Sequence, residues 1–127
     1  MKKILFPFIL LLSVFSLNAQ RNTNEDFNKI CEILTQIVVQ ETDGMIKEFD
    51  SNSKYYSVDI KVSSMYNNEK IIAKLNQVFK NAKMETIFPW GQAGKDEIRC
   101  AQALGEFPVT FNYVNKTKIL SFLVVKE

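Results

Sequence analysis

The chain of 127 residues contains no histidine. This absence excludes the Ser-His and Cys-His nucleophile pairs, the usual zinc sites and the commonest proton shuttle near neutral pH. Carboxylates and tyrosines are the catalytic side chains that remain. The composition therefore favours a non-enzymatic protein that uses no cofactor and no metal.

The chain also lacks an apolar run long enough to span a membrane, which takes about 20 residues. Its longest apolar run, residues 4–17, follows two lysines and ends two residues before Ala19. A positive start, a short apolar segment and a small residue at the exit are typical of a secretory signal peptide. We predict that residues 1–19 are removed and that residues 20–127 form a single α+β domain, exported to the periplasm or out of the cell. A retained N-terminal anchor is the alternative.

No run of basic residues is present. Lys2 and Lys3 leave with the signal peptide, so the 16 basic residues become 14 and face 14 acidic ones, for a formal charge of zero. Nucleic acids and anionic membrane surfaces attract proteins through clustered positive charge. A neutral chain without a basic stripe is therefore predicted to bind neither.

Cysteine occurs only at Cys31 and Cys100, without a CxxC motif. An even cysteine count in an exported chain favours a disulfide, here predicted between Cys31 and Cys100. Two separate buried thiols are the alternative, because a free cysteine packs as a small apolar residue.

Apolar residues at spacings of three and four predict two helices, over residues 25–41 and 69–81. Asn67 and Asn68 precede the second helix as cap residues. Residues 45–49 are interpreted as a short helix between them, with a short strand as the alternative.

Alternating apolar and polar residues predict strands. One precedes the second helix and four follow it: 55–63, 84–88, 96–104, 107–114 and 118–126. Residues 89–94 contain one proline and two glycines and are predicted to form a loop. Residues 96–104 could also form a short helix. The last strand is apolar on both faces, so it is predicted to lie at the centre of the sheet or beneath a partner.

The pattern is therefore an α+β fold, with N-terminal helices packed on a mainly antiparallel sheet that ends in a meander. Two stretches resemble the nuclear transport factor 2-like (cystatin-like cone) superfamily: the polar turn and aliphatic helix of Tyr66–Phe79, and Lys118–Phe122 near the end. The resemblance implies a curved sheet wrapped around the helices, a cavity at the mouth of the cone and a homodimer formed through the sheet. Enzymes of that superfamily use an aspartate base with tyrosine and aspartate donors, and those residues do not map onto this chain.

Aromatic residues near the predicted loop are the candidate binding residues. They are expected to line the cone mouth: Phe88, Trp90, Phe111 and Tyr113. Trp90 could instead fold back over the edge of the core. Such a site would take a small apolar ligand or a segment of another exported protein.

Two other functional classes stay open. The chain could be an inhibitor or immunity-type protein that blocks an exported enzyme through an exposed Trp90 loop. It could also be a small carboxylate-based isomerase, which requires an acidic residue in the cavity. Asp96 and Glu97 are neighbours on a predicted strand, so they point to opposite faces and cannot act as an acid–base pair.

Overall fold

The computed structural model describes residues 24–126, which form two α-helices and a six-stranded antiparallel sheet. This is the predicted α+β fold. The predicted signal peptide, residues 1–19, lies outside the described residues. The elements are α1 (Asn24–Thr42), β1 (Met45–Ser51), β2 (Tyr55–Lys61), α2 (Asn68–Asn81), β3 (Glu85–Gly94), β4 (Glu97–Leu104), β5 (Phe107–Val114) and β6 (Ile119–Val125).

Both helices form where their apolar spacing predicts them. Asn67 caps α2, because its side-chain Oδ1 accepts a hydrogen bond of 2.8 Å from the backbone N–H of Lys70. Glu69 lies in the first turn of α2 and Lys80 in the last, where each charge suits the helix dipole. The apolar stripe of each helix is buried in the core.

The strand order is β1-β2-β6-β5-β4-β3, and each neighbouring pair is antiparallel. The last strand, β6, lies between β2 and β5, which confirms the predicted central position. Alternate residues of the four central strands are buried, and they define the buried face of the sheet: Tyr56, Val58, Ile60, Ile98, Cys100, Gln102, Leu104, Phe107, Val109, Phe111, Tyr113, Leu120, Phe122 and Val124. The opposite side is called the open face.

The prediction of a short helix at residues 45–49 is wrong, because this segment forms strand β1. The pairing of β1 with β2 shifts register between Ile46 and Glu48. This bulge inserts one extra residue, so Ile46 and Phe49 face the same side although they are three residues apart. A spacing of three is typical of a helix and led to the wrong prediction.

The prediction of a loop at residues 89–94 is also wrong, because strand β3 continues to Gly94. Its pairing with β4 shifts register three times, so the proline and glycines are accommodated in an irregular edge strand. The strand preferred for residues 96–104 is confirmed as β4.

The predicted disulfide is not formed, and Cys31 and Cys100 are free thiols. Cys31 lies on the core side of α1, and Cys100 lies on the buried face of β4; each is almost completely buried. Both cysteines therefore pack as small apolar residues, the alternative that the sequence left open.

Candidate functional site

Trp90 is held in a fixed position at the edge of the core by α2. Its indole Nε1 donates a hydrogen bond of 3.1 Å to Oδ1 of Asn76, and its ring stacks on Phe79 with centroids 6.4 Å apart. Asn76 and Phe79 are three residues apart on α2, so they lie on the same face of the helix. Two contacts thus fix the indole, one at its polar end and one across its ring.

Beside this indole lies a pocket of about 330 Å³ between α2 and β3, called the Trp90 pocket. This volume is at the lower end of the range for small-molecule sites. Its lining consists of Asn76, Phe79, Lys80, Met84, Thr86, Pro89, Trp90 and Gln102. Four of these eight residues are aromatic or aliphatic, four are polar, and none is acidic.

The polar group of the Trp90 pocket that lies deepest is the amide of Gln102, whose residue is only 2% exposed. Its Oε1 accepts a bond of 3.3 Å from Thr86 Oγ1, and its Nε2 lies 4.0 Å from Sγ of Cys100. A glutamine amide has two donor hydrogens and an acceptor oxygen with two lone pairs. These two contacts leave one donor and one lone pair for a bound molecule.

The four residues predicted to line one cavity lie in different places. Trp90 lines the pocket, and Phe111 lies behind its wall, fully buried, with its ring centroid 4.9 Å from that of Phe79. Phe88 pairs with Ala101 on the open face and is 67% exposed. The structure therefore joins Trp90 and Phe111 through Phe79 and places Phe88 on the opposite side of the sheet.

The fourth predicted residue, Tyr113, is buried in a polar cluster at the turn between β5 and β6. Its hydroxyl lies 3.1 Å from Oδ1 of Asn115 and 3.4 Å from the carbonyl oxygen of Tyr66. Lys118 donates to the same two oxygens, at 2.9 and 2.6 Å. Burial, with a smaller contribution from Asp96, raises the pKa of Tyr113 to about 12. Tyr113 is therefore a neutral residue that anchors the turn.

Sequence reasoning did not assign Phe79 and Gln102 to the site. Phe79 belongs to the apolar stripe of α2, where its spacing indicates only a core position. Gln102 is the one polar residue on the buried face of β4, between Cys100 and Leu104. A polar residue at a position where the strand pattern requires an apolar one is a signal that could have identified it.

Two further depressions lie on the open face. The Arg99 groove, of about 530 Å³, is lined by Phe88, Gly91, Gln92, Ala93, Arg99, Cys100, Ala101 and Thr110. The acidic notch, of about 130 Å³, lies across β1 and β2 and is lined by Glu48, Phe49, Asp50, Ser57 and Asp59. One depression thus contains a cation and the other contains three carboxylates.

Within residues 24–126, no group of three or more histidine, cysteine, aspartate or glutamate residues is arranged to hold a metal ion. Neither of the helices in that range is long and apolar enough to cross a membrane.

No protein-family model, curated protein sequence or solved structure matches this chain. The resemblance to the nuclear transport factor 2-like superfamily therefore stays a prediction.

Proposed function

We propose that the chain is an exported, non-enzymatic binding protein and that its site is the Trp90 pocket. The observation that carries this proposal is the fixed indole of Trp90, which Asn76 and Phe79 hold in place beside a concave space. A preformed aromatic wall lowers the entropy cost of binding, because the side chain is already ordered before the ligand arrives.

The lining indicates the kind of ligand. A flat, largely apolar molecule would stack beside Trp90 and Phe79 and contact Met84. A polar group at its inner end would bond to the amide of Gln102. Lys80 lies exposed at the rim and would attract a negative group at the outer end.

The chemistry of the pocket supports binding rather than catalysis. A carboxylate-based isomerase needs an acidic residue in its cavity, and the lining of the Trp90 pocket contains none. Cys100, the thiol beside Gln102, has its pKa raised by burial to about 12, so it is a poor nucleophile at neutral pH.

Fluorescence tests the proposal directly, because Trp90 is the only tryptophan in the chain. The dye 1-anilinonaphthalene-8-sulfonate is a suitable probe, since it is aromatic, largely apolar and carries one negative group. We expect saturable binding of the dye that quenches Trp90 emission. Replacing Trp90 by alanine should weaken dye binding, followed by dye emission, about tenfold or more through the loss of the stacking wall.

Phe88→Ala is the matched control, because it removes an exposed aromatic ring from the same strand on the opposite face. This variant should bind the dye as the wild type does, and thermal unfolding should show that both variants are folded. Equal dye binding by the wild type and Trp90→Ala would refute the Trp90 pocket as the site. Loss of binding in Phe88→Ala alone would move the site to the Arg99 groove.

A further inference from the structure

The two edges of the sheet differ in how well they could accept another strand. Within residues 24–126, β1 has β2 as its one neighbour, and it pairs with β2 without a shift from Glu48 to Ser51. Strand β1 contains no proline and no glycine. A regular edge strand presents a row of backbone N–H and C=O groups that can pair with a further strand. At the other edge, β3 contains Pro89 and three register shifts, which interrupt such a row.

Strand β1 also carries apolar side chains that its own chain leaves uncovered. Of the seven large apolar side chains that are exposed within residues 24–126, three belong to β1. Ile46 pairs with Ile60 and is 48% exposed, and Phe49 pairs with Val58 and is 54% exposed. Because Ile60 and Val58 belong to the buried face, Ile46 and Phe49 extend that face beyond the part that α1 covers. Exposed apolar side chains grouped in this way mark an interaction site.

The other side of β1 is acidic and forms the acidic notch. Glu48 pairs directly with Asp59, and Asp50 lies two residues further along the same side of β1. The hydroxyl of Tyr55 donates a bond of 2.7 Å to Asp50 and holds its carboxylate there. Within residues 24–126, no lysine or arginine forms an ion pair with any of these three carboxylates. Like charges opposite each other destabilise a sheet, so this side of β1 favours a positively charged partner.

We propose that an extended segment of another protein adds to the sheet alongside β1, and that basic and apolar residues alternate along this segment. Paired residues of neighbouring strands point to the same side of a sheet. The basic residues of the segment then lie beside Glu48 and Asp50, and its apolar residues cover Ile46 and Phe49. In strand addition of this kind, the backbone hydrogen bonds supply affinity and the alternating side chains supply specificity.

A second copy of this chain does not fit this edge. Antiparallel pairing of β1 with β1 of another copy, centred on the regular stretch from Glu48 to Ser51, brings acidic side chains of the two copies together. The other edge strand, β3, is interrupted at Pro89 and cannot supply a regular partner. The charge of β1 therefore selects a different, basic chain.

Nuclear magnetic resonance with a synthetic peptide tests the proposal. The probe is acetyl-Lys-Val-Lys-Val-Lys-Val-Lys-amide, which alternates basic and apolar residues. We expect saturable binding that shifts the amide signals of β1 and slows hydrogen exchange of its outward N–H groups, while the amides of β3 stay unchanged. Added salt should weaken the binding, because the charges that attract the peptide are exposed.

Substitutions on the two sides of β1 test the predicted pattern of the segment. Glu48→Lys and Phe49→Ser should each weaken binding of the lysine peptide about fivefold or more, since one reverses a charge and the other removes an apolar contact. The double variant E48K/D50K should prefer the glutamate peptide acetyl-Glu-Val-Glu-Val-Glu-Val-Glu-amide, which the wild type should not bind. A loss of folding cannot produce this exchange of preference.

Glu85→Lys and Phe88→Ala are matched controls on β3, the opposite edge strand, where both side chains are exposed. Both variants should bind the lysine peptide as the wild type does, and thermal unfolding should show that every variant is folded. A wild type that does not bind the lysine peptide at millimolar concentration would overturn the proposal. Binding that leaves the β1 amides unshifted, that Glu48→Lys and Phe49→Ser do not weaken, or that the glutamate peptide matches would overturn it equally.

This inference is independent of the ligand proposed for the Trp90 pocket, because that pocket lies between α2 and β3, at the other edge of the sheet. Trp90→Ala should bind the peptide as the wild type does, and Glu48→Lys should bind the dye as the wild type does. The two proposals therefore fail separately.

Discussion

Replacing Phe111 by alanine is expected to lower the free energy of unfolding by about 3 to 5 kcal/mol. Phe111 is fully buried at the centre of β5, and its ring centroid lies 4.9 Å from that of Phe79 and 5.3 Å from that of Phe122. The substitution would leave a cavity between the sheet and α2. Because Phe79 also supports the ring of Trp90, the indole of Trp90 should become more solvent-exposed, and its fluorescence emission should report this change.

Urea unfolding followed by circular dichroism measures this loss as a lower midpoint. Phe88→Ala is the matched control, because it removes the same side chain from a strand position that is 67% exposed. Its free energy of unfolding should stay within about 0.5 kcal/mol of the wild type. Similar midpoints for the two variants would contradict the assignment of buried and open faces.

Cys31 and Cys100 are expected to resist alkylation in the folded protein by about a thousandfold or more relative to the unfolded chain. Both thiols are buried, so a reagent reaches them only when the core opens, and opening is rare in a stable domain. Burial also raises the pKa of both thiols, most strongly for Cys31, so almost no reactive thiolate is present at neutral pH.

Mass spectrometry after treatment with iodoacetamide checks this expectation. The protein unfolded in urea without a reductant should gain two carbamidomethyl groups, and the folded protein should gain none over the same time. Failure to label the unfolded protein until a reductant is added would show a disulfide and contradict the free thiols. Fast labelling of the folded protein would contradict their burial.

The same thiols predict that the free energy of unfolding falls as the pH rises into the alkaline range. The pKa of Cys100 rises from 9.0 to about 12 on folding, so the unfolded state loses its proton first as the pH increases. The stabilising contribution is fully present below pH 9 and is lost as the pH rises toward about 12.

The elements that the sequence predicted well are those with regular periods. The stripe of α2 and the alternation along β2 each follow one period from end to end, and the structure confirms both. A regular period predicts structure well because it marks the side chains that must be buried together in the folded protein.

The sequence predicted the two irregular edge strands only in part: it preferred a short helix to a strand at β1, and it ended β3 at Phe88. A bulge in β1 brings Ile46 and Phe49 to one side, which imitates a helical spacing. Three register shifts allow β3 to pass through Pro89 and two glycines without ending. Both features depend on pairing with a neighbouring strand, and local composition does not contain that information.

The candidate site was only partly predictable for the same reason. Trp90 stood out as the only tryptophan, but its partners Asn76 and Phe79 come from α2. Phe88 is two residues away in sequence and yet lies on the opposite face of the sheet. Proximity along the chain therefore grouped residues that the fold separates, and it missed residues that the fold brings together.

The central claim, that the Trp90 pocket holds a small molecule, is tested most directly by native mass spectrometry of the protein purified gently from the cells that make it. The wild type and Phe88→Ala should each carry the same small-molecule adduct, which disappears on denaturation, whereas Trp90→Ala should carry none. A wild type without an adduct, or an adduct that Trp90→Ala retains, would contradict the claim.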